Sequence, residues 1–291
     1  MSFILNFYKI LIVSELQNSF CPLPNSKLFL NVKKNKEEIE KIIERMNSFN
    51  THYSEMKNKN VANNPGSVAG SAILAGIDSL KNIGGRVIVL SCNSCKFGYG
   101  SCSTREDTKF YETEFEKTLY HPQNDKFLKL SDQIVTGKMK IAVDLFIFGN
   151  AQLDLATFSP ICNNTGGQIF YYEIDFTIPD DLKHKYDLLH YNLSRLLTRP
   201  SFYDVNFMLR HSHGFEPIEI LGSFNKKSGS GFSLASCDPD LSFSYIFRIN
   251  ESLQDTGKYH FQLVTLFIDN FGKQYLRTIN YCLTATKDIS K

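Results

Sequence analysis

The chain has 291 residues, 42% of them apolar and 21% charged, with a formal net charge of +2. That length suffices for one large domain or two ordinary ones, and the composition excludes a disordered chain. The near-neutral balance lacks the basic excess of a nucleic-acid binder, and seven scattered cysteines do not form a secreted disulfide framework.

The odd cysteine count points to a reducing compartment. The opening Met1–Lys9 is apolar but lacks a cationic start and a small-residue cleavage site, so a buried strand is expected there rather than a signal peptide. No segment approaches the length needed to span a bilayer. The sequons at Asn163, Asn192 and Asn250 are then chance matches. The run Lys33-Lys34-Asn35-Lys36 passes straight into Glu37, Glu38 and Glu40, which suits a solvated helix start and not a phosphate track.

Residues 35–49 carry Ile39, Ile42, Ile43 and Met46 at helical spacing. A polar loop spans 50–64. Pro65-Gly66-Ser67 opens a second helix, with Val68, Ala72, Ile73, Ile77 and Leu80. Gly84-Gly85 ends it, and Arg86–Leu90 reads as a buried parallel strand. Helical stretches near 108–120 and 123–136 precede a strand over 139–148. A helix from about 151, Thr165-Gly166-Gly167 and the strand Gln168–Tyr172 repeat the pattern. This alternation predicts an α/β sheet with crossover helices.

A helix over 180–197 closes that half. Beyond Pro200 the apolar period falls to two: Phe243, Tyr245, Phe247, Ile249; then Phe261, Leu263, Phe267; then Tyr275, Ile279, Tyr281. Turn signals separate these runs, which predicts an antiparallel β-sandwich.

Candidate chemistry is sparse. Cys92-Asn93-Ser94-Cys95 with Cys102 is a weak metal or redox constellation without a fourth ligand nearby, and chance loop cysteines are the plainer reading. His211-Ser212-His213 has strand spacing, so both rings could face one side, but no further ligand is assignable. Gly98 and Gly100 start a dinucleotide fingerprint that no third glycine completes. Asp144 and Asp154 are possible acid–base groups, yet no nucleophile, base and orienter assemble. No enzyme is expected.

Several segments, taken in order, resemble the cargo-adaptor subunits of the COPII vesicle coat, the Sec-twenty-four family. They are Ile12–Glu15 with Phe20–Pro24 and Leu28–Val32; Gly70–Ser79; Gly84–Val87; Ser103–Asp107; Ile141–Phe146; Asp154–Thr157; Thr165–Gly167 with Tyr171-Tyr172; Leu196–Arg199; and Glu251–Leu253 with Asp255-Thr256. The sister subunit, which activates the coat GTPase, shares the architecture but fits less well at Ser103–Asp107 and 196–199. A GTPase-activating role would need an inserted arginine, and no arginine here can be assigned that role from sequence. A metal-dependent adhesion domain is also conceivable, but its DxSxS loop does not occur.

The resemblance implies an incomplete von Willebrand A-like α/β trunk over 1–176, a connecting helix over 177–200 and a β-sandwich over 201–291. The zinc ribbon is expected to be absent, so no cofactor is expected in this portion. A sheet lacking a central strand leaves unpaired edges, so the chain by itself is expected to be marginally stable. The resemblance further implies a cytoplasmic protein, peripheral on endoplasmic-reticulum exit sites and COPII vesicles. It would pair with the sister subunit, contact the coat small GTPase, and bind cytosolic cargo tails without nucleic acid. Family arginines that read acidic signals sit in an RxR strand. Arg210 matches the second, Met208 stands at the first, and Arg199 is a further candidate cargo contact.

Overall fold

The computed structural model describes residues 15–46, 66–105, 108–149, 154–174, 178–226 and 230–286. The expected opening strand, the polar loop 50–64, residues 47–49 of the first expected helix, and Glu106 with Asp107 lie outside the described residues.

Residues 36–46 are helical as their spacing predicts. Helix α1 (Ala69–Leu80) leads into strand β1 (Gly85–Ser91). The expected helix near 108–120 is two 3-10 turns, Thr108–Phe110 and Glu114–Tyr120. Its aromatics point outward (Tyr111, Phe115 and Tyr120 are exposed), so no buried apolar stripe supports a longer α-helix. Helix α2 (Lys126–Thr136), strand β2 (Ile141–Phe148), helix α3 (Leu155–Thr165) and strand β3 (Ile169–Tyr172) follow.

The three strands form a parallel sheet in the order β1-β2-β3. Strand β2 is buried on both faces, which is why it reads as an apolar run rather than an alternation. Its odd residues, Ile141, Val143, Leu145 and Ile147, join Ile73 and Ile77 of α1, Phe127 and Ile134 of α2, and Ile161 of α3 in one core. On the other face Phe146 meets Tyr172, Leu189, Leu193 and Leu196. The last three belong to helix α4 (Pro179–Thr198). Among the described residues no strand pairs with the outer edge of β1.

Seven strands complete the chain: β4 (Phe202–His211), β5 (Phe215–Leu221), β6 (Asn225–Lys226), β7 (Gly231–Cys237), β8 (Ser244–Ile249), β9 (Lys258–Ile268) and β10 (Gln274–Thr284). They form a five-stranded sheet, β10-β9-β4-β7-β6, faced by the pair β5-β8. Phe215 and Phe247 of the small sheet pack edge-on against Phe261 of β9, with centroids 5.1 and 5.5 Å away. Ala235 of β7 reaches the trunk core, so the two layers systems share a packed boundary. At that boundary Gly166 caps α3 with a φ of +80°, and a Cβ there would overlap the Ser236 carbonyl of β7.

Candidate functional site

The pairing register builds a polar groove at one end of the sandwich. Arg210 of β4 lies opposite Gln262 of β9, which lies opposite Asn280 of β10. One row further on, the Ser212 amide donates to the His260 carbonyl at 2.9 Å, and His260 lies opposite Cys282. Side chains alternate across a strand, so Arg210, Ser212, His260, Gln262, Asn280 and Cys282 share one face. The groove they line has a volume of about 410 Å³.

The side chains form a ladder. Gln262 Nε2 donates to Asn280 Oδ1 at 2.8 Å, and Arg210 Nη1 donates to Gln262 Oε1 at a long 3.5 Å. Among the described residues no carboxylate lines the groove, so the Arg210 charge faces outward without neutralisation from its walls. A planar guanidinium in that setting suits an incoming carboxylate. Met208, half exposed, follows on the same face beside Val264 and extends it with an apolar surface. The site therefore offers one cation, neutral hydrogen-bonding groups and an apolar margin: chemistry for holding an acidic, partly apolar peptide.

Arg199 lies elsewhere. Its guanidinium is 9% exposed, 2.6 Å from Asp238 and 2.6 Å from Asp240. Asp240 also takes two bonds from Arg195, at 2.6 and 2.9 Å. Arg86 of β1 extends the cluster, with Nη1 2.6 Å from Asp144 and Nη2 3.6 Å from Asp238. Asp144 is fully buried and accepts the Gln168 amide at 2.9 Å. Burial pushes its carboxyl up, against the pull of Arg86. Asp240 is held low, chiefly by its bond to Arg195. The cluster ties the trunk sheet, the end of α4 and the sandwich together.

The other sequence candidates separate. Cys92 is exposed, whereas Cys95 and Cys102 are buried, and burial pushes the Cys102 thiol up to about 11. Among the described residues no group of three or more His, Cys, Asp or Glu could hold a metal ion. Asp154 caps α3 through the Thr157 amide and holds Arg105 with two bonds of 2.8 Å. Arg105 also donates to the carbonyls of Thr118 and His121, so the pair pins the loop between β1 and α2. The rings of His211 and His213 part company: His211 packs edge-on against Phe247, and His213 faces Glu251 at 3.1 Å. Sequence reasoning missed His260, Gln262, Asn280 and Cys282, because only cross-strand register brings them beside Arg210.

Comparison with known proteins now bears on this arrangement. Residues 2–192 match the Sec23/Sec24 trunk domain, and residues 202–286 match the Sec23/Sec24 beta-sandwich domain. The chain belongs to the Sec23/Sec24 family. Similar relatives include human protein transport protein Sec24B, 28% identical over 97% of this chain and 21% of that protein. Arabidopsis thaliana SEC24 B is 27% identical over 96% of this chain and 24% of its own length. Schizosaccharomyces pombe sec24 is 27% identical over 96% of this chain and 28% of its own length. The structure of the human COPII-coat protein Sec24c aligns with a TM-score of 0.66 at 26% identity, covering 76% of this chain and 28% of that one. The chain thus spans roughly a quarter of the length of these relatives, in the trunk-then-sandwich order of its family.

Proposed function

We propose that this Sec23/Sec24-family chain acts as a non-catalytic inner-coat component of COPII vesicles, binding cytosolic cargo tails for transport from the endoplasmic reticulum to the Golgi. The observation that carries the reading is the carboxylate-free groove around Arg210, in a chain whose Sec24-type relatives align along nearly all of it. Those relatives favour the adaptor reading over that of the GTPase-activating sister subunit. We divide the chain into a trunk portion (1–176), a connecting helix (177–200) and a sandwich (201–291).

In this reading the sister subunit, the coat small GTPase and the endoplasmic-reticulum membrane surface are the partners, and the protein is cytoplasmic and peripheral. Among the described residues no helix is long and apolar enough to cross a membrane. Arg210 holds an acidic side chain of the tail, while Met208 replaces a second cation with an apolar contact. Recognition thus shifts toward signals with one carboxylate and a neighbouring apolar residue. Arg199, enclosed by Asp238 and Asp240, serves in this reading to hold the sandwich against the trunk and not as a direct cargo contact.

Two measurements test this. A pull-down of the tagged chain should recover the sister subunit and the coat GTPase. Titration with acidic-tail peptides should show binding that Arg210→Ala weakens by about tenfold or more. Failure to recover either coat partner, with a folded chain, would refute the coat assignment; binding indifferent to Arg210→Ala would refute the groove.

A further inference from the structure

Strand β4 changes its facing part-way along. Phe202, at its start, packs edge-on against Phe267 of β9 in the sandwich core, with centroids 4.9 Å apart. Strict alternation from there would keep the even residues of β4 inward and turn Arg210 into the core. The inward residues further along are odd instead. Val205 is buried, Phe207 stacks on Phe232 at 4.6 Å, and His211 packs edge-on against Phe247. Even-numbered Met208 and Arg210 are exposed.

The reversal is a β-bulge. Tyr203 pairs with Ile268 and Asn206 with Leu266, so β4 advances three residues while β9 advances two. Towards β7 the register stays regular, from Tyr203 opposite Ser236 to Val205 opposite Leu234. Asp204 makes the bend, with a φ of +47° in the left-handed region, where Asp is tolerated far better than a β-branched residue. Neighbours hold it there. Asn206 Nδ2 donates to the Asp204 carbonyl at 3.1 Å, and Asn206 Oδ1 accepts from Ser233 Oγ of β7 at 2.8 Å. From the trunk, Lys138 Nζ stands 3.9 Å from the Asp204 carboxylate.

We infer that Asp204 is a positioning residue for the Arg210 groove: its left-handed backbone reverses the facing of β4, so that Arg210 and Met208 line the surface while Phe202 stays in the core. Arg199, enclosed by Asp238 and Asp240 just before the strand, fixes where β4 starts. Loss of the bulge is therefore felt at the Arg210 end. The inference rests on the cargo reading for its purpose, but the reversal itself is measurable without a cargo peptide.

Thiol labelling reads the facing directly. Full chains carrying Arg210→Cys or Leu209→Cys are treated with a maleimide, and peptide mass spectrometry assigns the label. With the bulge intact, position 210 should label at least about ten times faster than half-buried position 209. Adding Asp204→Val should bring the two rates within about threefold of each other, whereas Asp204→Gly, which accepts a positive φ, should leave the ratio unchanged. In the otherwise native chain, Asp204→Val should weaken acidic-peptide binding by about tenfold or more, and Asp204→Gly by less than about twofold. Far-UV circular dichroism checks the fold. If Asp204→Val does not fold, Asp204→Ala, a smaller side chain at the same φ, takes its place. A labelling ratio that the Val or Ala variant leaves unchanged overturns the inference. So does a loss of binding as large in Asp204→Gly as in Asp204→Val. A ratio that shifts as expected in a chain that binds no acidic peptide upholds the positioning role and refutes the cargo groove instead.

Discussion

Replacing Arg199 by Met separates a structural role from a binding role. Met keeps the apolar stem of the side chain and removes the guanidinium. The loss leaves the Asp238 carboxylate, whose side chain is 3% exposed, with Arg86 Nη2 at 3.6 Å as its remaining cation. Breaking a buried ion pair by removing one partner costs about 3–5 kcal/mol, because the other charge stays desolvated. Against a total stability of about 5–15 kcal/mol this is a large fraction, and it corresponds to a fall in Tm on the order of 10 °C. Urea unfolding followed by tyrosine fluorescence measures it, since the chain has 14 Tyr and no Trp. Adding Asp238→Asn removes the stranded charge and should recover about 2 kcal/mol. A loss below about 1 kcal/mol, or no recovery in the double variant, would refute the reasoning.

Arg210→Ala should change stability by less than about 0.5 kcal/mol, yet weaken acidic-peptide binding by tenfold or more, about 1.4 kcal/mol, as read by calorimetric titration. The pH response should carry two opposite contributions. The carboxyl of Asp240 is held low by Arg195, so its stabilisation is present above the unfolded value of about 3.9 and is lost as pH falls through the folded value. Asp144 is raised by burial, so the folded state takes up its proton first and gains stability as pH falls toward about 3.9. In Tm scans, Asp240→Asn should therefore flatten the acid-side loss, while Asp144→Asn should remove the gain. Gly166→Ala should cost more than about 3 kcal/mol in urea unfolding, because it combines a left-handed backbone with a clash on Ser236. Treatment with EDTA should leave the melting curve unchanged; a clear fall in Tm would instead point to a metal at Cys92, Cys95 or Cys102.

Much of this was legible before any coordinates. The period-two runs around Phe243, Phe261 and Tyr275 correspond to β8, β9 and β10, and the apolar segment after Gly84-Gly85 corresponds to β1. The 108–120 region departed because its aromatics Tyr111, Phe115 and Tyr120 stay exposed, leaving no buried apolar stripe to support a longer helix. Gly84–Val87, Ile141–Phe146 and Leu196–Arg199 stand in the sequence as separate segments of a family pattern. In the fold, Arg86, Asp144 and Arg199 converge on one ionic cluster.

Outside 108–120, local spacing determined the type and order of the described elements and the change from an α/β pattern to a β pattern, since periodicity records which face each segment buries. The tertiary structure decided which charges are spent on architecture and which remain for binding. Arg199 and Arg210 are eleven residues apart and chemically identical, yet Asp238 and Asp240 enclose one while the other borders a groove without carboxylates. That difference arises from contacts between residues distant in the chain, and no local pattern encodes it.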